Sequence, residues 1–263
     1  MQSSSTRKSS WSYNGTTITE KDLDDLKIEY QAMQTPEWSV IKETKNLKVY
    51  RKHGNKLFTF KSYMYFDGIP TEVVYALSCD LKVRQLWDPV YIQVKDVERL
   101  DEEADVIYTQ LRSPKPVTNR DSCLLRVTKM KKNEDKSTKQ FDNKTFIVFM
   151  RTTSHEKCPV TPQFVRVTAP VHAYYIEPTK NGCCMFVLSE HDLGGYIPQF
   201  VINLIASRSP VQWYTSVADV SNKVYNNIKK DMITIDQYKS NQDDVSSIIS
   251  KQGGFNTFIK SKL

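Results

Sequence analysis

Residues 194–228 read GGYIPQFVINLIASRSPVQWYTSVADVSNKVYNNI, and this stretch decides the fold. Gly194, Gly195 and Pro198 punctuate the chain, and beyond them Ile197, Val201, Leu204, Val217, Val220, Val224 and Ile228 fall close to one face of a helical period. Pro210 has no N–H to give, so a kink or break is predicted near Ser209. A long helix with one apolar stripe needs a surface to cover.

That surface lies upstream. WSVIKET, LKVYRK and LFTFKSYMYF read as strands, separated by Asn46 and by Gly54-Asn55. TEVVYALSCDLKVRQLW, residues 71–87, reads as one helix opening behind Pro70 and closing at Asp88-Pro89. Six more strand-like runs follow: YIQVKDVERL, DVIYTQLR, DSCLLRVTKM, KTFIVFMRTTS, FVRVTAPVHAYYIE and CCMFVLSEHDL. Residues 131–144, KKNEDKSTKQFDNK, read as a solvated loop. An antiparallel sheet of about nine strands with so little helix to cover it must curl and take the final helix into its mouth. The fold class is therefore α+β, a curved sheet gripping a C-terminal helix around an internal cavity. Phe58, Phe60, Tyr63, Tyr65, Phe146, Phe149, Tyr174 and Tyr175 are candidates to line that cavity or pack the core.

Upstream of the sheet, Thr19 is an N-cap with Asp22 three residues on, followed by Leu23, Leu26, Tyr30 and Met33 at helical spacing. Residues 1–18 are polar and nearly free of aliphatics, which predicts a disordered tail. The domain is assigned to residues 19–230 and a flexible tail to 231–263.

The 263 residues, 39% hydrophobic and 11% aromatic, are enough for one sizeable core. The net charge of +7 is mild and spread among 30 acids, so no nucleic-acid partner is expected, while attraction to an anionic membrane surface needs no more. No apolar run is long enough to span a bilayer. Five cysteines, 79, 123, 158, 183 and 184, show no C-x-x-C spacing and read as free thiols in a reducing compartment.

VRQLWDP (83–89), PKPVTNRDSCLLR (114–126), FVRVTAPVHAYYIEP (164–178) and SEHDLGGYIPQFVIN (189–203) occur in the order and spacing of landmarks of the START (steroidogenic acute regulatory protein-related lipid-transfer) domain. The chain resembles that family over about residues 38–228, and its motifs are most similar to the phosphatidylcholine-transfer branch. The resemblance implies a helix-grip fold and a monomer that holds one lipid in an internal tunnel, roofed by the last helix, with transient contact at a membrane. Burying an acyl chain is worth about 0.8 kcal/mol per methylene, which only a closed apolar cavity supplies.

Arg84 and Asp88 are four residues apart and share a helix face. By resemblance they would sit inside the tunnel and meet a lipid phosphate, a guanidinium held by a carboxylate being suited to that contact. The branch's aromatic choline cage falls on Thr109, Ser122 and Pro170, so choline specificity does not carry over. Tyr108, Arg112 and His172 sit on strand-like runs and are the remaining candidate lipid contacts. Asn119, Arg120 and Asp121 read as a structural strand entry.

A hydrolase would need pieces such as His155 with Cys158, His172, or His191 with Asp192, but G-x-S-x-G, H-E-x-x-H and metal-ligand spacing are all missing. The reading is a lipid carrier rather than an enzyme, with no metal and no cofactor. A lipid-sensing adaptor is the alternative, an acyl-CoA hydrolase the more distant one. Finally, Ser261, Lys262 and Leu263 match the tripeptide read by the peroxisomal import receptor. That receptor is an expected partner and the peroxisomal matrix the expected location, with the cytoplasm as the alternative.

Overall fold

The computed structural model describes residues 8–33, 35–52, 57–133 and 144–231. In chain order the elements are β1 (Ser10–Tyr13), β2 (Thr16–Thr19), α1 (Glu20–Ala32), β3 (Trp38–Glu43), β4 (Leu47–Lys52), β5 (Phe58–Asp67), α2 (Thr71–Cys79), α3 (Leu81–Trp87), β6 (Tyr91–Arg99), β7 (Ala104–Leu111), β8 (Arg120–Lys131), β9 (Thr145–Thr152), β10 (Val165–Arg166), β11 (Thr168–Thr179), β12 (Gly182–Asp192) and α4 (Gln199–Asp231). Most of the interior is one sheet, in the order β3-β4-β5-β12-β11-β9-β8-β7-β6. All pairs along that path are antiparallel, and the short β10 adds a parallel pairing to β8, making ten strands where nine were expected. Two residues of strand between Phe164 and Val167 are too few to leave a periodic signal.

Side chains alternate across this sheet, and its two faces carry two separate cores. The inner face presents Val49, Met64, Phe66, Ile107, Leu124, Phe146, Val148, Tyr174, Ile176, Met185 and Val187 to α2, α3 and α4, whose Val73, Leu77, Trp87, Val217, Val220 and Val224 complete the cluster. On the outer face Tyr63, Leu125, Val127, Phe149, Ala173, Tyr175 and Phe186 pack under α1 and the β1–β2 hairpin, against Leu23, Leu26, Trp11 and Ile18. The aromatic strand residues therefore divide: Phe58, Phe60, Phe146 and Tyr174 belong to the inner face by register, Tyr63, Phe149 and Tyr175 to the outer.

Three expectations are corrected here. Residues 10–18 are not a disordered tail but most of a hairpin that ends at Thr19, with Trp11 and Ile18 both fully buried. Its turn is Asn14-Gly15, both at positive φ (44° and 79°), the left-handed pair that tight hairpins demand. The helix expected over 71–87 is two, because the Asp80 side chain accepts from the Val83 N–H and starts α3 afresh. Of the kink or break expected at Pro210, the break does not occur, since α4 runs through it as a single helix. Val201 on one side of the proline and Val217, Val220 and Val224 on the other are buried, so packing at both ends holds the helix across the missing bond.

The capping box at the start of α1 is present as read: Asp22 N–H donates to Thr19 Oγ1 and Thr19 N–H to Asp22 Oδ2. Gly182 opens β12 at φ 135°, where an added Cβ would lie 2.0 Å from the Phe66 carbonyl oxygen. That close approach lets β12 lie flush against β5. The charged loop expected at 131–144 and the tail from residue 232 lie largely outside the described residues.

Candidate functional site: a buried polar relay on the inner face

Against the apolar inner face stands one connected set of polar groups. Arg84 comes from α3, and Asp88 is the residue that closes that helix. Arg84 Nε donates to Asp88 Oδ2 at 2.9 Å, and the second carboxylate oxygen accepts from Val90 N–H at 3.1 Å. Both side chains are deeply buried, 10% and 5% exposed. Nη1 donates to the Ser78 carbonyl (3.3 Å) and to the Tyr174 hydroxyl (3.1 Å). The guanidinium carbon also lies 4.8 Å from each of the Tyr91 and Trp213 ring centroids, so a residue of α4 closes over it. Nη2 has no hydrogen-bond partner among the described residues. Burial works against the Arg84 charge, but Tyr91, Tyr174 and Asp88 outweigh it and hold the group above its ordinary pKa, so it remains a cation.

Beyond Tyr174 the set continues along β11 and β12. The Tyr174 hydroxyl lies 2.9 Å from His172 Nε2, and His172 Nδ1 lies 2.7 Å from Ser189 Oγ across the strand pair. Proton positions follow from Arg84, which can only donate. Tyr174 therefore accepts from Arg84 and gives its own proton to His172 Nε2, leaving the imidazole neutral with its proton on Nδ1, directed at Ser189. Burial depresses His172 far below the usual histidine range, and nearby His191 and Arg84 push the same way. Its neighbour His191, 5.1 Å away ring to ring, is pushed down to about 4 by burial. The relay Asp88–Arg84–Tyr174–His172–Ser189 is thus polar throughout and charged only at its Asp88–Arg84 end.

Of the residues singled out from sequence, Arg84, Asp88 and His172 come together here. Tyr108 does not: it lies on the outer face with Val106, Cys123 and Cys158, and its hydroxyl donates to Asp121 at 2.9 Å. The alternation of β7 points Ile107 inward and Tyr108 outward, a one-residue matter that the sequence leaves open. Arg112 is exposed beyond the end of β7. Trp213 and Ser189 were not singled out from sequence, and Tyr174 only among the aromatic residues that could line the cavity or pack the core. A tyrosine two residues from His172 on a strand was the available signal for Tyr174, since such pairs share a face.

Of the pieces a hydrolase would need, His172 and His191 stand together at the relay, while His155 and Cys158 lie on the outer side with Tyr13. His155 donates from Nε2 to Glu98 (3.0 Å) and accepts the Lys157 N–H at Nδ1 (3.0 Å), while burial raises the Cys158 thiol. Asp121, the strand-entry carboxylate, is held by Arg166 at 2.8 and 2.9 Å, as a structural pairing would be. All five cysteines are free thiols. Among the described residues no group of three His, Cys, Asp or Glu is placed to hold a metal ion.

A large antiparallel sheet packed on a long C-terminal helix, with a buried cation beneath that helix, defines the helix-grip class of fold. Residues 19–223 match the family model for the START domain, and the chain belongs to that family. It is 30% identical over 148 residues to the START domain-containing protein 10 of Homo sapiens and of Mus musculus, a match covering 56% of this chain and 47% of those proteins. The matched region thus spans about half the length of those curated relatives. It is 24% identical over 182 residues to the phosphatidylcholine transfer protein of Bos taurus, covering 68% of this chain and 81% of that one. Among solved structures, human STARD10 superposes with a TM-score of 0.69 at 21% identity, over 84% of this chain and 86% of that one.

Proposed function

We propose that the protein binds one lipid between the inner face of its sheet and α4, and carries it between membranes. The observation that carries this reading is Arg84, a guanidinium that keeps its charge in a largely apolar interior and whose Nη2 meets no partner among the described residues. Burying a charge is costly, and a stability role is satisfied by Asp88 alone. A spare charged donor inside a container fits a ligand oxygen bearing negative charge, such as a lipid phosphate. The likeness to phosphatidylcholine transfer protein across most of that protein's length supports the lipid-carrier reading. Trp213 packs on Arg84, so α4 is in contact with the group that holds the ligand and acts as the roof that must move for exchange. The carrier is a monomer that touches membranes transiently, and it is not an enzyme.

Transfer of a labelled phospholipid between vesicles tests this reading directly. A carrier moves label in proportion to protein concentration; a sensing adaptor binds it but leaves the donor vesicles' content unchanged.

The site of action in this proposal is the peroxisomal matrix, on the strength of Ser261, Lys262 and Leu263. Those residues lie outside the described part of the structure. A fluorescent protein fused at the N-terminal side should give puncta coincident with a matrix marker, and deleting Leu263 should leave the same fusion in the cytosol. Diffuse signal from the intact protein would exclude the peroxisome.

A further inference from the structure

The inner face carries a second polar feature beside Arg84. Thr109 on β7 and Ser122 on β8 are directly opposite in register, and their hydroxyl oxygens are 2.7 Å apart. Both are buried, 4% and 6% exposed, and both point to the inner face, because Ile107 and Leu124, two residues along each strand, belong to the inner core. One hydroxyl proton is spent on the bond between them. The other has no acceptor among the described residues, and both oxygens keep lone pairs free.

The pair lies on the same face as the guanidinium, linked to it through Tyr91. Thr109 is paired with Val94, and Leu111, two residues further along the same face, is paired with Tyr91, the ring that Arg84 covers at 4.8 Å. Thr109 and Tyr91 are thus one diagonal step apart across β6 and β7, about 7–8 Å in a regular ladder, with a register shift between them and Ser122 one strand further on. A ligand whose anionic oxygen meets Arg84 places what is attached to that oxygen against Thr109 and Ser122.

Resting on the reading that Arg84 takes a lipid phosphate, we infer that Thr109 and Ser122 select the rest of the head group: a phosphodiester lipid whose head group ends in hydrogen-bond donors, a primary ammonium or free hydroxyls. Two buried hydroxyls with free lone pairs and one unspent proton reward a head group that hydrogen-bonds and penalise one that can neither donate nor accept, since their polar atoms would be desolvated without a partner. A trimethylammonium has no N–H. Its usual recognition is by aromatic faces, and the ring at this place, Tyr91, already has Arg84 over it.

The test is extraction from vesicles carrying phospholipids of identical acyl chains whose head groups are ethanolamine, its mono-, di- and trimethylated forms, and glycerol. The expected result is a stepwise decline with methylation, about tenfold or more between the primary and trimethylated ends, with the glycerol lipid on the favoured side. Thr109→Val with Ser122→Ala should flatten the series while lipid is still extracted, and Ser122→Ala alone should flatten it in part. Equal or rising extraction with methylation by the intact protein would overturn the inference and leave the carrier reading standing. Extraction of none of the lipids would overturn both. The series on the unmodified protein needs no variant to fold.

Discussion

Replacing Asp88 by alanine is expected to lower stability by about 3–5 kcal/mol, because it leaves the Arg84 guanidinium buried beside Tyr91 and Trp213 without its carboxylate. Arg84→Ala should cost less, since the remaining Asp88 still accepts the Val90 N–H. The double substitution Arg84→Met with Asp88→Leu should recover most of the loss, and a gain over the parent is compatible with the same physics, as apolar side chains of similar volume often replace buried ion pairs at no cost. Urea denaturation of the four proteins measures this. The same double variant should fail to hold a phosphate-bearing lipid, losing a charge-assisted contact worth roughly 1.5–3 kcal/mol. Stability recovered and binding lost would show that the pair is kept for the ligand. Full binding by the folded double variant would return Arg84 and Asp88 to a structural role.

The hairpin gives the second large effect. Trp11→Ala should destabilise the protein by about 3–5 kcal/mol and lower the melting temperature by about 10 °C, because it opens a cavity under a fully buried indole that Lys129 also covers at 4.7 Å. Differential scanning calorimetry reads both quantities. A loss below about 1 kcal/mol would mean that residues 10–19 are not part of the cooperative unit. Lipid extraction should persist in whatever fraction stays folded, because Trp11 lies on the outer face and Arg84 on the inner.

That hairpin also shows what the sequence made legible and what it did not. Asn14-Gly15 between SWSY and TTIT is a strong turn signal, but its strands are mostly Ser and Thr, and composition outweighed it. What buries Trp11 and Ile18 is the outer face of a sheet built from residues more than a hundred positions away, such as Leu125 and Phe149. The Thr19–Asp22 capping box was legible because its physics is local. So was the break at Asp80 in principle, an N-cap residue inside an apolar run, yet the helical period of residues 71–87 continues across it.

At the site, Arg84 and Asp88 were legible from i, i+4 spacing together with a family resemblance. The relay was not. Tyr174 and His172 are two apart on β11, but Ser189 joins them only through the register with β12, and Trp213 only through the seating of α4. Tyr108 failed for the same reason in reverse, since register alone decides whether Tyr108 or Thr109 faces inward. Likewise Lys61, fully buried, is accommodated only because Glu29 of α1 meets its ammonium at 2.6 Å and Trp38 lies 4.6 Å beneath it.

Native mass spectrometry of the protein as it comes from cells, run beside Arg84→Ala, tests the central claim most directly. The account predicts one lipid per chain, released on denaturation as a phosphate-bearing species, and a largely empty Arg84→Ala protein. A chain that arrives with no lipid and takes none from vesicles, or an Arg84→Ala protein as fully loaded with the same phospholipid as its parent, would contradict it.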